Sequence, residues 1–264
     1  MTSEQLKDWR NLQDDITTDS LWISKTSTKN YPLFIIPKRD WELKNDPDFH
    51  GLFIPEIPYQ FIRRFLPENG IVWDCFSGSG TTYGVAEYLG IKEQCICTDL
   101  NPTKDFIKFG DATTYTLDVK SDLVFCHPPY HNIVKYSDNP NDGSNCKNIE
   151  EFLDWMEKVA INIHKNMNDG GYCILVCGNL YEDGEEKTLG VWAKDRFCKV
   201  GFKCKSHIIK DYGETKGSDA KNYNLNYYRQ LKNGYNNFYG DNIFILKKTI
   251  EFVTTHTTKK KKNL

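Results

Sequence analysis

Ile71-Val-Trp-Asp74-Cys-Phe76-Ser77-Gly78-Ser-Gly80-Thr81-Thr82 is the stretch that decides the fold. Its apolar start, closed by Asp74, reads as a short buried strand. The glycine- and serine-rich middle reads as a loop, and Thr81 to Leu89 as an amphipathic helix. Small residues let a backbone approach a ligand, and a helix N-terminus presents N–H groups beside it. The loop has the strand before it and the helix after it that such a site demands. It is not a P-loop, because no Gly-Lys-Ser/Thr follows.

Downstream, the same pattern repeats. Gln94 to Asp99 reads as a second strand ending in a carboxylate, a position suited to ribose hydroxyls in an α/β sheet. Phe106 to Ala112 reads as a third short strand with Asp111 at its end. Little room for a helix lies between Asp99 and Phe106. Asp122-Leu-Val-Phe-Cys-His127-Pro128-Pro129-Tyr130 is a fourth strand that must stop abruptly, since neither proline offers an N–H to the ladder. An imidazole, two carbonyls and an aromatic ring at that stop suit an amino group held against an aromatic face.

The remaining segments complete the alternation. Before the glycine loop, a helix with Pro58 in its first turn puts Ile57, Phe61, Ile62 and Phe65 on one face. After Tyr130 comes a long polar loop, residues 131–149, read as a substrate loop. Glu150 to Met167 is an amphipathic helix stopped by Asn168-Asp-Gly-Gly171. Tyr172 to Asn179 is a fifth strand, and Thr188 to Val200 a further helix. Lys205 to Lys210 and Asn242 to Lys247 are strands able to pair antiparallel.

Bulk properties bound the class. The chain has 264 residues, 39% hydrophobic, enough for a sizeable core in one α/β domain. A formal net charge of −2 gives no global drive toward nucleic acid, so such a role needs a local patch. From Lys194 to Lys232 there are ten Lys/Arg against four Asp/Glu. Tyr212, Tyr223, Tyr227, Tyr228, Tyr235, Phe238 and Tyr239 lie in or just after this segment, among many asparagines. Cations for phosphates, rings for stacking and amides for base edges are what nucleic-acid contact needs. Nine cysteines without a CxxC pair read as reduced, and no metal site is expected. No apolar run spans a membrane and Met1 to Asp8 has no signal-peptide character. The expected location is the cytoplasm or the nucleoid.

These motifs together resemble the S-adenosylmethionine-dependent amino-methyltransferases of DNA, over roughly residues 45 to 250. Asp74, Phe76, Ser77, Gly78, Gly80, Thr81 and Thr82 are similar to the family's D-x-F-x-G-S-G-T-T cofactor loop. His50-Gly51, upstream, resembles the segment over the methionine moiety. The resemblance makes Asp99-Leu100 the ribose-binding pair and Asp111-Ala112 the pair beside the adenine. His127-Pro128-Pro129-Tyr130 resembles the D/N/S-P-P-Y/F/W catalytic motif, with His127 the departure from it. The implied fold is a Rossmann-like, doubly wound, mostly parallel seven-stranded sheet with an antiparallel C-terminal strand. Implied domains are an extension over 1–44, a methyltransferase domain over 45–250 with a nucleic-acid-contacting insertion at about 211–240, and a basic tail over 251–264.

The implied chemistry is transfer of a methyl group from S-adenosylmethionine to N6 of adenine or N4 of cytosine in DNA, in a restriction-modification setting. Tyr130 would stack on a flipped base. The Pro128 carbonyl and an unprotonated His127 nitrogen would accept the two amino hydrogens. Activity is then expected to fall below the ordinary imidazole pKa of ~6.5. The alternatives are an RNA or protein-glutamine amino-methyltransferase, or an inactive nucleic-acid-binding subunit. A homodimer or a partner subunit is left open.

Overall fold

A computed structural model describes residues 21–23, 54–211, 231–232, 234 and 240–249. His50, Gly51, nearly all of the tyrosine-rich insertion and the basic tail lie outside these residues.

The strands are β1 (Leu21–Ile23), β2 (Val72–Asp74), β3 (Cys95–Asp99), β4 (Ile107–Phe109), β5 (Ser121–Cys126), β6 (Met167–Cys177), β7 (Leu180–Glu182), β8 (Glu185–Lys187), β9 (Phe202–Asp211) and β10 (Gly240–Lys248). The helices are α1 (Glu56–Phe65), α2 (Thr81–Tyr88), α3 (Ile149–Asn166) and α4 (Leu189–Val200). The main sheet runs β1-β9-β10-β6-β5-β2-β3-β4, and β7 and β8 form a separate hairpin. From β6 to β4 every pairing is parallel, while β10 is antiparallel to both β6 and β9. This is the expected seven-stranded sheet with its antiparallel C-terminal strand. Leu21–Ile23 adds an eighth strand at the edge, parallel to β9.

Alternation along the strands builds two cores. Leu123 and Phe125 of β5, with Ile174 and Val176 of β6, face α1 and α2, where Ile57, Phe61, Ile62 and Val85 are buried. Val124 and Cys126, with Cys173, Leu175 and Cys177, face α3 and α4. Both faces of β5 and β6 are therefore covered, which is why they read as continuous apolar runs.

Local signals set the helix ends. The Asn148 side chain accepts from the Glu151 N–H, and the Glu151 carboxylate accepts from the Lys147 N–H, so the start of α3 is capped in both directions. At its other end the buried Lys248 ammonium donates to the His164 and Met167 carbonyls, where a cation suits the helix dipole. The chain passes from α3 into β6 without a loop. Asn168 to Gly171 therefore lie within a strand rather than in the expected stop.

The connection from Asp99 to Ile107 carries no α-helix. β2 pairs with β3 on one side and β5 on the other, so successive crossovers diverge there. Ligands bind at such switch points, outside the carboxyl ends of the strands.

Candidate active site

A cavity of about 460 Å³ opens at that switch point, a volume typical of small-molecule sites. The loop after β2 (Phe76 to Gly78), Asp99 and Leu100 after β3, Ala112 after β4, and His127 to Tyr130 after β5 all line it. The structure thus brings the glycine loop and the His-Pro-Pro-Tyr turn, about 50 residues apart in the chain, to one wall and another of a single space.

The glycine loop is braced from beneath. Asp74 is fully buried and accepts from the Thr82 hydroxyl and the Phe76 N–H. Burial pushes its carboxyl up to about 7. Gly80 starts α2 with φ 88°, a left-handed value that suits glycine, and a Cβ there would come within 2.7 Å of the Phe106 ring. Asp74, Gly80 and Thr82 therefore shape the loop from outside the cavity lining, while Ser77, Gly78 and Thr81 face the space.

Asp99 ties two loops together. Its carboxylate accepts from the Gly78 N–H at 2.8 Å and the Asn101 N–H at 2.9 Å. The Thr103 hydroxyl closes the same corner on the Gly78 carbonyl. A carboxylate has about four lone-pair sites, so acceptor capacity for hydroxyls remains after these two bonds. Burial raises the Asp99 pKa. Asp111 is used locally, accepting from the N–H and hydroxyl of Thr113, and Ala112 lines the cavity in its place. Asn162 and Asn166 of α3 fix that segment by donating to the Ala112 and Tyr115 carbonyls.

The 131–149 segment folds over the cavity. It contains single 3-10 turns at His131–Ile133 and Gly143–Asn145. Buried Asp142 organises it, accepting from the Ser144 N–H and from the Ser137 and Ser144 hydroxyls. Trp155 of α3 donates its indole N–H to the Asn141 carbonyl and packs against Gly143. Asp142, Gly143 and Trp155 line the cavity, and none was marked by sequence motif.

At the His-Pro-Pro-Tyr turn, His127 Nε2 lies 2.9 Å from the Tyr130 hydroxyl. That hydroxyl donates to Asp241 Oδ1 at 2.9 Å, and Lys210 Nζ donates to Asp241 Oδ2 at 2.8 Å. Lys210 and Asp241 are direct cross-strand partners of β9 and β10, 4% and 5% exposed. Burial drives the His127 imidazole down to about 4; Asp241 raises it and Lys210 lowers it, both to a lesser degree. The Tyr130 ring rests on Gly178 at the end of β6, where a Cβ would meet it at 2.7 Å.

A family model for DNA methylases of the N6/N4 type matches residues 4–105 and 121–263. The chain belongs to the N6/N4 DNA methylase family. Its cofactor is S-adenosylmethionine, and the cavity fits that group: a close-approach loop, a carboxylate with unused acceptor capacity at the end of β3, and sufficient volume. No curated protein sequence matches the chain. Among solved structures it is similar to TrmN from Thermus thermophilus, at 14% identity and TM-score 0.45 over 74% of this chain and 49% of that one. A proposed DNA modification methylase, also from Thermus thermophilus, gives 19% and 0.36, over 57% and 54%. A methyltransferase from Pyrococcus furiosus gives 15% and 0.41, over 76% and 86%. The chain thus spans about half the length of the first two. No helix among the described residues is long and apolar enough to cross a membrane.

Proposed function

We propose that this methylase-family chain methylates an exocyclic amino group, N4 of cytosine or N6 of adenine, on a base flipped out of DNA. The observation that carries the reading is the joint placement of the glycine loop, Asp99 and His127 to Tyr130 around one cavity. S-adenosylmethionine, when bound, supplies an electrophilic methyl group. Phe76 to Gly78, Thr81, Asp99, Leu100 and Ala112 would hold it, with His50 and Gly51 as further candidates.

The chain's own part is acceptance and positioning. The amino lone pair of a base is delocalised into the ring and is a poor nucleophile. The Pro128 carbonyl and the neutral His127 imidazole accept hydrogen bonds from the two amino hydrogens, which draws the nitrogen toward tetrahedral geometry and frees its lone pair; once the methyl group is on nitrogen, one of those two protons is released to water. Tyr130 supplies the aromatic face, and its ring and hydroxyl are both held by the protein. In-line placement supplies the remainder. Partner strands of DNA are expected to meet the tyrosine-rich insertion, and the working compartment is the cytoplasm or nucleoid.

Incubating the protein with labelled cofactor and a mixed DNA pool, then mapping modified bases, tests this directly. Label in N4-methylcytosine or N6-methyladenine is the expected result. Label confined to RNA or protein in parallel incubations would overturn it. His127→Ala is expected to lose turnover and keep cofactor affinity.

A further inference from the structure

The contacts around Tyr130 determine where the protons sit. Lys210 and Asp241 face each other across the β9–β10 ladder, nearly inaccessible to water, with Nζ 2.8 Å from Oδ2. A charge buried this deeply persists only when paired, and the two satisfy each other as an ion pair. Asp241 is then a carboxylate, which can only accept hydrogen bonds. Its second oxygen lies 2.9 Å from the Tyr130 hydroxyl, so Tyr130 must donate its proton there. A phenol has one proton. Toward His127 Nε2, also at 2.9 Å, the same hydroxyl is therefore an acceptor, and Nε2 must carry the hydrogen.

We infer that Lys210, Asp241 and Tyr130 form a positioning network that holds His127 as its Nε2–H tautomer, making Nδ1 the imidazole's acceptor atom in the site. Lys210 and Asp241 are positioning residues, since they act on His127 only through Tyr130. The inference rests on the reading of His127 as an amino-group acceptor given above. It adds which ring nitrogen does the accepting and what selects it. A neutral imidazole has one bare nitrogen, and the partner of the other nitrogen decides which it is. Burial of the ring supports the neutral form on which the selection operates.

The test reads the tautomer itself. Protein with 15N-labelled histidine is prepared without DNA, and the His127 ring nitrogens are assigned by their loss in His127→Ala. Long-range proton–nitrogen spectra distinguish protonated from bare nitrogens. The expected wild-type result is hydrogen on Nε2 and a bare Nδ1.

Asp241→Asn is expected to reverse the chain. The Lys210 cation claims the amide carbonyl, and the amide N–H₂ turns to the Tyr130 oxygen. Tyr130 then donates to Nε2, and the imidazole proton moves to Nδ1. Cofactor affinity stays unchanged, while kcat on DNA falls on the order of 100-fold. Tyr130→Phe, which leaves the ion pair intact, is expected to give a mixture of tautomers and serves if Asp241→Asn does not fold. A wild-type protein with hydrogen on Nδ1 would overturn the inference. So would a pure Nε2–H signal that survives either substitution. Because the spectra need no substrate, they separate the two ideas. Undiminished turnover by His127→Ala would remove the amino-acceptor reading, whereas the tautomer results judge the network alone.

Discussion

The ordinary imidazole pKa makes activity fall below pH ~6.5, and the structure moves that point. Burial pushes His127 down to about 4, with the Asp241 carboxylate raising it and the Lys210 ammonium lowering it as lesser influences. Tyr130 meets the ring through a neutral hydroxyl. The perturbation is acidification from pH 7.5 to 5.5. With an unshifted pKa, about 90% of the imidazole would be protonated at pH 5.5, and kcat would drop roughly tenfold. With a pKa of about 4 only about 3% is protonated, and kcat stays nearly flat. The assay is methyl transfer to DNA at saturating cofactor and substrate, stepped through this range. A tenfold fall centred near pH 6.5, in protein that remains folded and binds cofactor normally, would refute the reasoning.

Acidification over the same range also changes the stability of the fold. The native state holds His127 neutral while the unfolded chain protonates it from pH 6.5 downward. Stability from this group is therefore present above 6.5 and is lost as pH falls toward 4. At pH 5.5 the loss is about 1.4 kcal/mol. Asp74 works the other way. Its folded pKa of about 7 exceeds the unfolded value of 3.8, so its contribution grows as pH falls from 7 toward 4. The gain between pH 7.5 and 5.5 is about 2 kcal/mol, which offsets the histidine and keeps the fold available for the measurement.

Asp74→Asn removes that offset. Wild-type Asp74 costs about 2–3 kcal/mol more at pH 8 than at pH 5, so denaturant unfolding at the two pH values is expected to show the variant gaining relative to wild type at pH 8; an unchanged difference would contradict a raised carboxyl pKa. Gly178→Ala places a Cβ 2.7 Å from the Tyr130 ring, forcing the ring off its seat and stretching its bonds to His127 and Asp241. Turnover is expected to fall at least tenfold with cofactor affinity kept, and calorimetry alongside a kinetic assay checks both. At position 127 itself, Asn offers an amide donor to the Tyr130 oxygen and a carbonyl acceptor to substrate, whereas Asp offers no donor. His127→Asn is expected to retain more kcat at pH 7.5 than His127→Asp, as measured side by side on one DNA substrate.

What was legible in the sequence was what local pattern encodes. Continuous apolar runs marked β5 and β6, the spacing of Ile57, Phe61 and Ile62 marked α1, and the strand-end acids located the sheet's carboxyl edge. Short pieces held by partners distant in sequence were not legible. Leu21–Ile23 becomes a strand only because β9 offers an open edge, and the β7–β8 hairpin, rich in glutamate, has no apolar alternation to betray it. The 131–149 segment reads as polar loop because its order comes from one carboxylate, Asp142, gathering serines. The same limit hid the contacts that hold the His-Pro-Pro-Tyr turn. His127 and Tyr130 are three residues apart, but Tyr130 and Asp241 are separated by 111, and Lys210 meets Asp241 only through the strand register. That register gives the departure at position 127 a physical reason. Asp241 already takes the single proton of Tyr130, so the hydroxyl presents a lone pair to whatever stands at 127. A carboxylate there would set two acceptors against each other in a partly buried place, with a second negative charge close to the first. An imidazole supplies the missing donor on one nitrogen and keeps an acceptor on the other. The histidine and the Lys210–Asp241 pair thus form one arrangement, and neither half accounts for the turn without the other.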